Sequence, residues 1–502
     1  MLRRRLIQGS AALIAVPALL RHALAADTPR VALGVASGQP RASSVVLWTM
    51  LTGAGLPERV PVQWEVAHDE AFARIAARGE ETTELAWAHS VHAEALGLEP
   101  ARWYWYRFSA HGQQSMVGRT RTAPAADAQV ATFNFVITSC QRWDVGHYAA
   151  WKHIAAEALD AVMFLGDYIY EYASGAKSIR PVEGGHVRTL AEYRARYATH
   201  KSDPALQAAH AAAPWLLVWD DHEVGNDYAN LQGQELEPDF KVQRAAAYRA
   251  YWEHMPFPKS ARPVDADMRI TGRLDWGRLA RIHLIDDRQY RDVQVCPKPG
   301  RGGSNTVALK DCPAFLDARR TLLGTEQERW LADGWDTTRP WNLLAQQTLM
   351  ARFSWSDTSQ GGTYWTDGWD GYPAARKRLL DVVAQRKLNG VVVLGGDVHS
   401  HYVADLKADY DDPQARVIAT EFCGSSITSL GFPQARVDAA RVFNPHIRYG
   451  RSDQRGYMRF ALDAAQLRAQ IRVVDNALDP SSGITTAASF VVDPARPGAQ
   501  AA

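Results

Sequence analysis

Only four cysteines occur among 502 residues, neither sign of charge prevails, and outside the first 25 residues no long apolar run is present. Each shortage excludes something. So few cysteines cannot scaffold a disulfide-dense fold, so stability must come from buried apolar surface. No run approaches the ~20 apolar residues of a membrane-spanning helix, and no internal repeat or heptad pattern marks a solenoid or coiled coil. The 56 Lys and Arg against 55 Asp and Glu leave no basic excess with which to coat a polyanion, so stable nucleic-acid binding is not expected. What is present, 46% hydrophobic and 22% charged residues, is the make-up of a globular protein. At this length two domains are expected.

Residues 1–25 read as an export signal. Arg3, Arg4 and Arg5 precede an apolar stretch at 11–20, and Ala23-Leu24-Ala25 offers a small-residue cleavage site. Arg3-Arg4-Arg5-Leu6-Ile7-Gln8 has the form of a twin-arginine signal, the route for proteins exported already folded. Folding before export would let a metal site be loaded in the cytoplasm. With the four arginines of this segment removed, 52 basic face 55 acidic residues, a mature charge of −3. A periplasmic or secreted protein with no transmembrane anchor in its mature chain is expected. Cys296 and Cys312 flank a Gly/Pro/Lys-rich loop and are the pair an oxidising compartment would join. Cys140 and Cys423 each stand alone after an apolar segment.

Residues 31–122 run as short alternating stretches separated by turns, which predicts a small N-terminal all-β sandwich of the immunoglobulin or fibronectin-III kind, assigned to 27–125. Beyond the linker at 123–128 the period changes. Apolar strands at 133–138, 161–165, 215–219, 282–285, 343–344 and 391–394 alternate with helical segments at 148–159, 190–199 and 242–254. That alternation predicts a layered α/β core over 130–495, with a further edge strand supplied by the alternating stretch from Tyr457 to Val474.

Ligands of open α/β sheets bind beyond the carboxyl ends of the strands. Those ends carry Ser139-Cys140-Gln141, then Gly166-Asp167-Tyr168-Ile169-Tyr170-Glu171. Asp220-Asp221-His222-Glu223 follow, with Asn226 and Asp227 close behind, and Asp397-Val398-His399 ends a late strand. One such Asp is as often a helix cap or turn former, and a lone His or Tyr is usually structural. Four strand ends together would crowd negative charge that only cations neutralise cheaply. In Gly166-Asp167-x-x-Tyr170, the glycine permits a sharp turn, Asp167 can bridge two metals, and Tyr170 returns to the same metal. Thiolate and phenolate ligands favour a highly charged ion, ferric iron above zinc or magnesium, while the aspartates suit an oxygen-seeking cation such as calcium.

Asp167, Asp221-His222-Glu223 and Asp397-x-His399 together resemble the calcineurin-like metallophosphoesterases, with Asp221 in place of the usual asparagine. Within that superfamily the chain resembles the alkaline phosphatase D family. The likeness runs through Gly34-Val35-Ala36-Ser37-Gly38, Trp219 to Glu223, Tyr251-Trp252-Glu253-His254-Met255-Pro256, Asp287-Arg288-Gln289-Tyr290-Arg291 and Asn444-Pro445-His446. It implies an iron–calcium centre, with Cys140, Asp167, Tyr170 and His399 on Fe3+. Asp167 would bridge to Ca2+, with Asp221, Asn226 and Asp397 as further candidates whose division stays open. It also implies hydrolysis of phosphoester small molecules or of phospholipid- or nucleotide-type diesters.

A metal pair neutralises phosphoryl oxygens and lowers the pKa of water. By motif position His222 would protonate the leaving group or orient the phosphate. Arg288 is the candidate cation for the substrate, or else a partner of a neighbouring carboxylate such as Asp287. Trp143, Tyr168 and the 365–372 segment are candidate linings of the mouth. Three rivals stand beside this reading: a phospholipase D-type phosphodiesterase on the same metals, a metal-free cysteine hydrolase using Cys140, and a non-catalytic adhesion module.

Overall fold

The computed structural model of the protein describes residues 31–502, so the export-signal reading lies outside the described residues. Two β-sheets packed face to face form the core. One has ten strands in the order Arg496–Ala501, Ile484–Asp493, Leu467–Val474, Gly456–Leu462, Phe133–Thr138, Ala161–Leu165, Trp215–Val218, Val35–Gly38, Ser44–Met50 and Ser90–Leu96. The other has seven, in the order Gly272–Trp276, Ala280–Leu284, Trp341–Ala345, Val391–Gly395, Val417–Cys423, His401–Lys407 and Ile447–Arg451. The centre of each sheet is parallel.

Both faces of each sheet are covered, so the central strands are apolar throughout. Within Trp341–Ala345, Leu343 joins the cluster shared with the ten-stranded sheet. Its neighbour Leu344 joins Leu331, Leu380 and Val383 under the helices Thr325–Gly334 and Pro373–Gln385. That is the period of two expected of a strand. Phe460 ties the sheets together, lying 4.8 Å from Phe135 beside it and 5.3 Å from Phe422 of the facing sheet.

Helices Ala149–Ala156, Leu190–Lys201, Pro204–Ala212 and Phe240–His254 contribute buried residues to the cluster built on the ten-stranded sheet. Their starts follow local chemistry. Thr189 and Glu192 form a reciprocal capping box, and Asp203 caps the next helix, with Pro204 in its first turn.

The N-terminal region is all-β apart from one short 3-10 turn, Leu85–Trp87. A five-stranded sheet built on Ile75–Glu84, Arg59–Ala67 and Trp103–Ala110 packs over Val35–Gly38, Ser44–Met50 and Ser90–Leu96 around Leu47, Val62, Tyr106 and Phe108. Those three strands also continue the ten-stranded sheet, because Gly38 pairs with Trp215 across a parallel contact. A Cβ at Gly38 would stand 2.8 Å from the Pro256 carbonyl oxygen, so only glycine admits this junction.

One expectation is corrected. Gly456–Leu462 pairs with Phe133–Thr138 inside the sheet, and three further strands follow it outward, so Arg496–Ala501 forms the edge. The Cys296–Cys312 disulfide forms as the sequence anticipates, and Cys140 and Cys423 are free and buried. Among the described residues no helix is long and apolar enough to cross a membrane.

Because Phe460 fills the interface between the sheets, Phe460→Ala is expected to lower the unfolding free energy by about 3–5 kcal/mol in urea denaturation. A loss under ~1 kcal/mol would show that the two sheets do not depend on this contact.

Candidate metal centre

The site is built at the strand ends by unfavourable backbone. Cys140, Asp167, Asp397 and His399 have φ of 57°, 61°, 63° and 51°. Left-handed backbone costs a non-glycine residue roughly 1–3 kcal/mol and persists only where the surroundings enforce it. Gly166, with φ of 107°, is part of that enforcement: a Cβ there would lie 2.3 Å from Asp220 Cβ. Glu223 is the rest. Its buried carboxylate accepts from the backbone N–H of Asp167 at 3.0 Å, Tyr168 at 2.6 Å and Asp220 at 2.8 Å, clamping two strand ends. Burial, with Asp167 nearby, pushes its carboxyl up to about 8.

One group of donors gathers around Asp167. The Tyr170 hydroxyl donates to Asp167 Oδ2 at 2.7 Å and lies 3.1 Å from His399 Nε2. Ser429 Oγ holds the phenol from behind at 2.7 Å. Ligand atoms of Cys140, Asp167 and His399 lie within 4.8 Å of one another. His399 Nδ1 lies 2.9 Å from the Leu430 carbonyl oxygen, which makes it the protonated nitrogen and leaves Nε2 as a lone pair facing the group. Asp167 Oδ1 is buried without a hydrogen-bond partner among the described residues. Burial and the Asp167 charge push both the Cys140 thiol and the Tyr170 phenol well above their ordinary values. A donor set that is buried, orphaned at one oxygen and rich in ionisable ligands fits a cation.

The second group is carboxylate. Asp220, Asp221 and Asp397 bring oxygens within 4.8 Å of one another, and Asp221, Asp227 and Asp367 do so again. Asp221 accepts from the N–H of His222 at 2.9 Å and of Asp227 at 2.7 Å, and Thr348 donates to Asp397 at 2.7 Å.

Arg288 takes the second of the two places its sequence suggests, among carboxylates, although Asp287 is not one of them. It is buried, donating from Nε to Asp220 at 2.5 Å and from Nη1 to Asp367 at 2.6 Å. Its Nη2 lies 3.8 Å from Asp221 and 3.9 Å from Asp397. It is absent from the cavity lining, and its partners are these four aspartates rather than Asp287. Burial raises the carboxyls of Asp220 and Asp397 even with Arg288 opposing. Burial acts likewise on Asp221, but there Arg288 and His222 outweigh it and the carboxyl sits below its ordinary value.

His222 is set by Glu171, whose Oε2 lies 2.7 Å from Nδ1 while Oε1 accepts from the N–H of Asn226 at 2.8 Å. Against the desolvation of its burial, Glu171, Asp221 and Asp167 raise the imidazole well above its ordinary value. His222, Asp221, Asn226, Asp397 and His399 all line one cavity of about 470 Å3.

The structure thus brings together Cys140, Asp167, Tyr170 and His399, and beside them Asp221, Asn226, Asp397 and His222. Trp365, Gly368, Trp369 and Asp370 of the 365–372 segment line the cavity. Trp143 and Tyr168 do not. Trp143 carries Arg180 on its ring, and Tyr168 is buried against Phe164 with its hydroxyl 2.8 Å from His210 Nε2. The cysteine-hydrolase reading also fails, because a nucleophilic thiol needs a lowered pKa and access, and Cys140 has neither.

The roles of Glu171, Glu223 and Asp220 were missed although these residues stand in the strand-end motifs. A carboxylate that clamps backbone reads the same in sequence as one that binds a metal. Asp367 follows no core strand and carries no such signal.

Residues 135–471 match the family model described as PhoD-like phosphatase, and residues 17–124 match that described as PhoD-like phosphatase, N-terminal domain. Alkaline phosphatase D of Bacillus subtilis (strain 168) is 43% identical over 477 residues, which span 91% of this chain and 80% of that protein. A solved structure of PhoD is 41% identical with a TM-score of 0.89, covering 95% of this chain and 92% of that one. Such identity over nearly the full fold carries the chemistry as well as the architecture. The chain belongs to the PhoD-like phosphatase family and is a metal-dependent phosphoester hydrolase.

Proposed function

We propose that the centre holds ferric iron on Cys140, Asp167, Tyr170 and His399, and calcium on Asp167, Asp221, Asn226 and Asp397. The observation that carries this reading is the Tyr170 phenol, 2.7 Å from a carboxylate and 3.1 Å from an imidazole nitrogen, with the Cys140 thiol in the same group. Phenol and thiol bind a metal only after losing protons that burial here makes hard to lose, which favours an ion of high charge. Asp227 joins Asp221 in an all-oxygen group and is a further candidate for calcium. When bound, the pair supplies positive charge that offsets the phosphoryl oxygens and acidifies water.

The protein's own residues divide the remaining work. His222, its Nδ1 engaged by Glu171, has no hydrogen-bond partner on Nε2 among the described residues, so Nε2 can hydrogen-bond a phosphoryl oxygen and protonate the departing alkoxide. Arg288 acts beneath the site. Its charge holds four mutually repelling aspartates at fixed separation, a positioning role in place of a contact with substrate. Asn226 is placed by the same Glu171 that holds His222, so ligand and acid share one support. The substrates are phosphomonoesters or phosphodiesters met in the periplasm or outside the cell, reached through the twin-arginine signal of residues 1–25. Within this arrangement 27–125 is the small β-domain and 130–495 the catalytic one.

Elemental analysis of the purified protein is expected to find iron and calcium, and active protein free of both would overturn the proposal. Cys140→Ser should lose iron while keeping most of its calcium; unchanged iron content would return Cys140 to an inert buried thiol. For Asp167→Asn, near-complete loss of turnover with an unaltered circular dichroism spectrum is expected, and an active variant would exclude the bridging role. His222→Gln is expected to lower kcat by roughly 10²–10⁴-fold on alkyl esters and far less on p-nitrophenyl esters, whose leaving group needs no proton. Equal losses on both would assign His222 to phosphate orientation alone.

A further inference from the structure

The catalytic cavity is larger than a phosphoryl group needs, its volume of about 470 Å3 being that of pockets that enclose whole small molecules. Besides the metal-centre residues, its lining includes Phe353, Trp355, Trp365 and Phe432, together with Lys298 and Arg436. None of these six belongs to the candidate metal centre.

Trp355 and Phe432 meet edge to face at 5.0 Å and 70°, and Phe353 supports Trp355 from 4.9 Å. Arg436 Cζ lies 4.3 Å from the Trp355 ring centre and 4.8 Å from that of Phe432. Core tryptophans such as Trp219 and Trp252 are essentially fully buried, whereas Trp355 is half-buried and Phe432 is 40% exposed. Arg436, on the exposed face of the helix Gln434–Arg441, makes no ion pair or side-chain hydrogen bond among the described residues, and neither does Lys298. Solvent-exposed rings beside unpaired cations, all on one catalytic cavity, are the features of a recognition surface rather than of packing.

Resting on the phosphoester reading above, we infer that Trp355, Phe432 and Arg436 form a subsite for the organic group of the ester, and that this group is planar and aromatic, a nucleobase in type. A guanidinium against an indole and a phenyl ring adds a cation to the planar faces on which an aromatic ring stacks. The polar side chains of Ser304 and Asn305 in the same lining suit a heteroaromatic ring with hydrogen-bonding edges and disfavour an alkyl chain. Lys298 and Arg436 offer charge to any further anionic group on the same substrate.

Adenosine 5′-monophosphate and ribose 5-phosphate both release a primary ribose C5 alkoxide and differ in carrying a base or a hydroxyl at C1, so their KM ratio isolates the subsite. The wild-type protein is expected to show a KM lower by roughly fivefold or more for the nucleotide. Trp355→Ala and Arg436→Ala should bring the ratio toward one, while Trp355→Phe, which keeps a ring, retains most of it. Arg436 is exposed, so its replacement leaves the core untouched even where Trp355→Ala is unstable. The p-nitrophenyl diesters of thymidine 5′-phosphate and of methyl phosphate give the same comparison for a diesterase. A wild-type ratio near one in both pairs, or a ratio unchanged in Arg436→Ala, would overturn the aromatic subsite. Absence of turnover on all four esters would overturn the phosphoester reading and the subsite with it.

Discussion

Four aspartates, Asp167, Asp220, Asp221 and Asp367, are buried together with the half-buried Asp397 where the two sheets meet, and a single guanidinium, Arg288, reaches four of the five. In water such a concentration of charge would disperse. Here the chain cannot disperse it, because Asp167, Asp220, Asp221 and Asp397 follow strands whose positions are set by apolar packing on both faces, and Arg288 and Arg291 pin Asp367. The repulsion is therefore a fixed property of the fold, and one arginine does not cancel it. A cation is the partner that such electrostatics favour, and the orphaned Asp167 Oδ1 marks one place where it would bind. Arg288 reduces the cost of folding before that partner arrives. Its removal would leave Asp220 and Asp397 without their guanidinium, with Arg291 still paired to Asp367 and His222 beside Asp221.

The same strand ends carry the conformational cost. Four candidate ligands occupy left-handed backbone, and Gly166 and Glu223 lock the turn from which two of the carboxylates project. Strain of this kind holds donor atoms at separations a relaxed loop would not keep. The two sheets supply the donors jointly: Cys140, Asp167, Tyr170 and Asp221 follow strands of one, and Asp397 and His399 follow a strand of the other. The contact of Phe460 with Phe135 and Phe422 is thus a condition for the centre as much as for the core. The N-terminal strands extend one of these sheets by hydrogen bonding, so the small β-region is a continuation of the scaffold.

Much was legible in the sequence because the relevant signals are local. Apolar runs of five or six residues bounded by glycine and aspartate mark parallel strands buried on both faces, and the residue types just beyond them mark the chemistry. Position marked the stretches that hold Cys140, Asp167, Tyr170, Asp221, Asn226, Asp397 and His399, and the family resemblance singled these residues out within them. The shift of period near residue 125 likewise separated the β-rich N-terminal region from the layered core.

What only the tertiary structure decided was which polar group faces which. Arg288 stands at a strand end like the ligands, yet its side chain turns beneath the carboxylates, a choice made by Asp220 and Asp367 from distant segments. Glu223 and Asp221 are two residues apart and chemically alike. Glu223 reaches back to clamp the backbone of Asp167, Tyr168 and Asp220, whereas Asp221 holds only its own loop and lines the cavity. Tyr168 and Tyr170 differ in the same way, one packed against Phe164 and the other held at the centre. Sequence determines the strands and the kinds of atoms delivered to their ends, since period and composition are properties of neighbouring residues. Orientation at those ends depends on contacts between segments far apart in the chain, and only the folded protein brings these together.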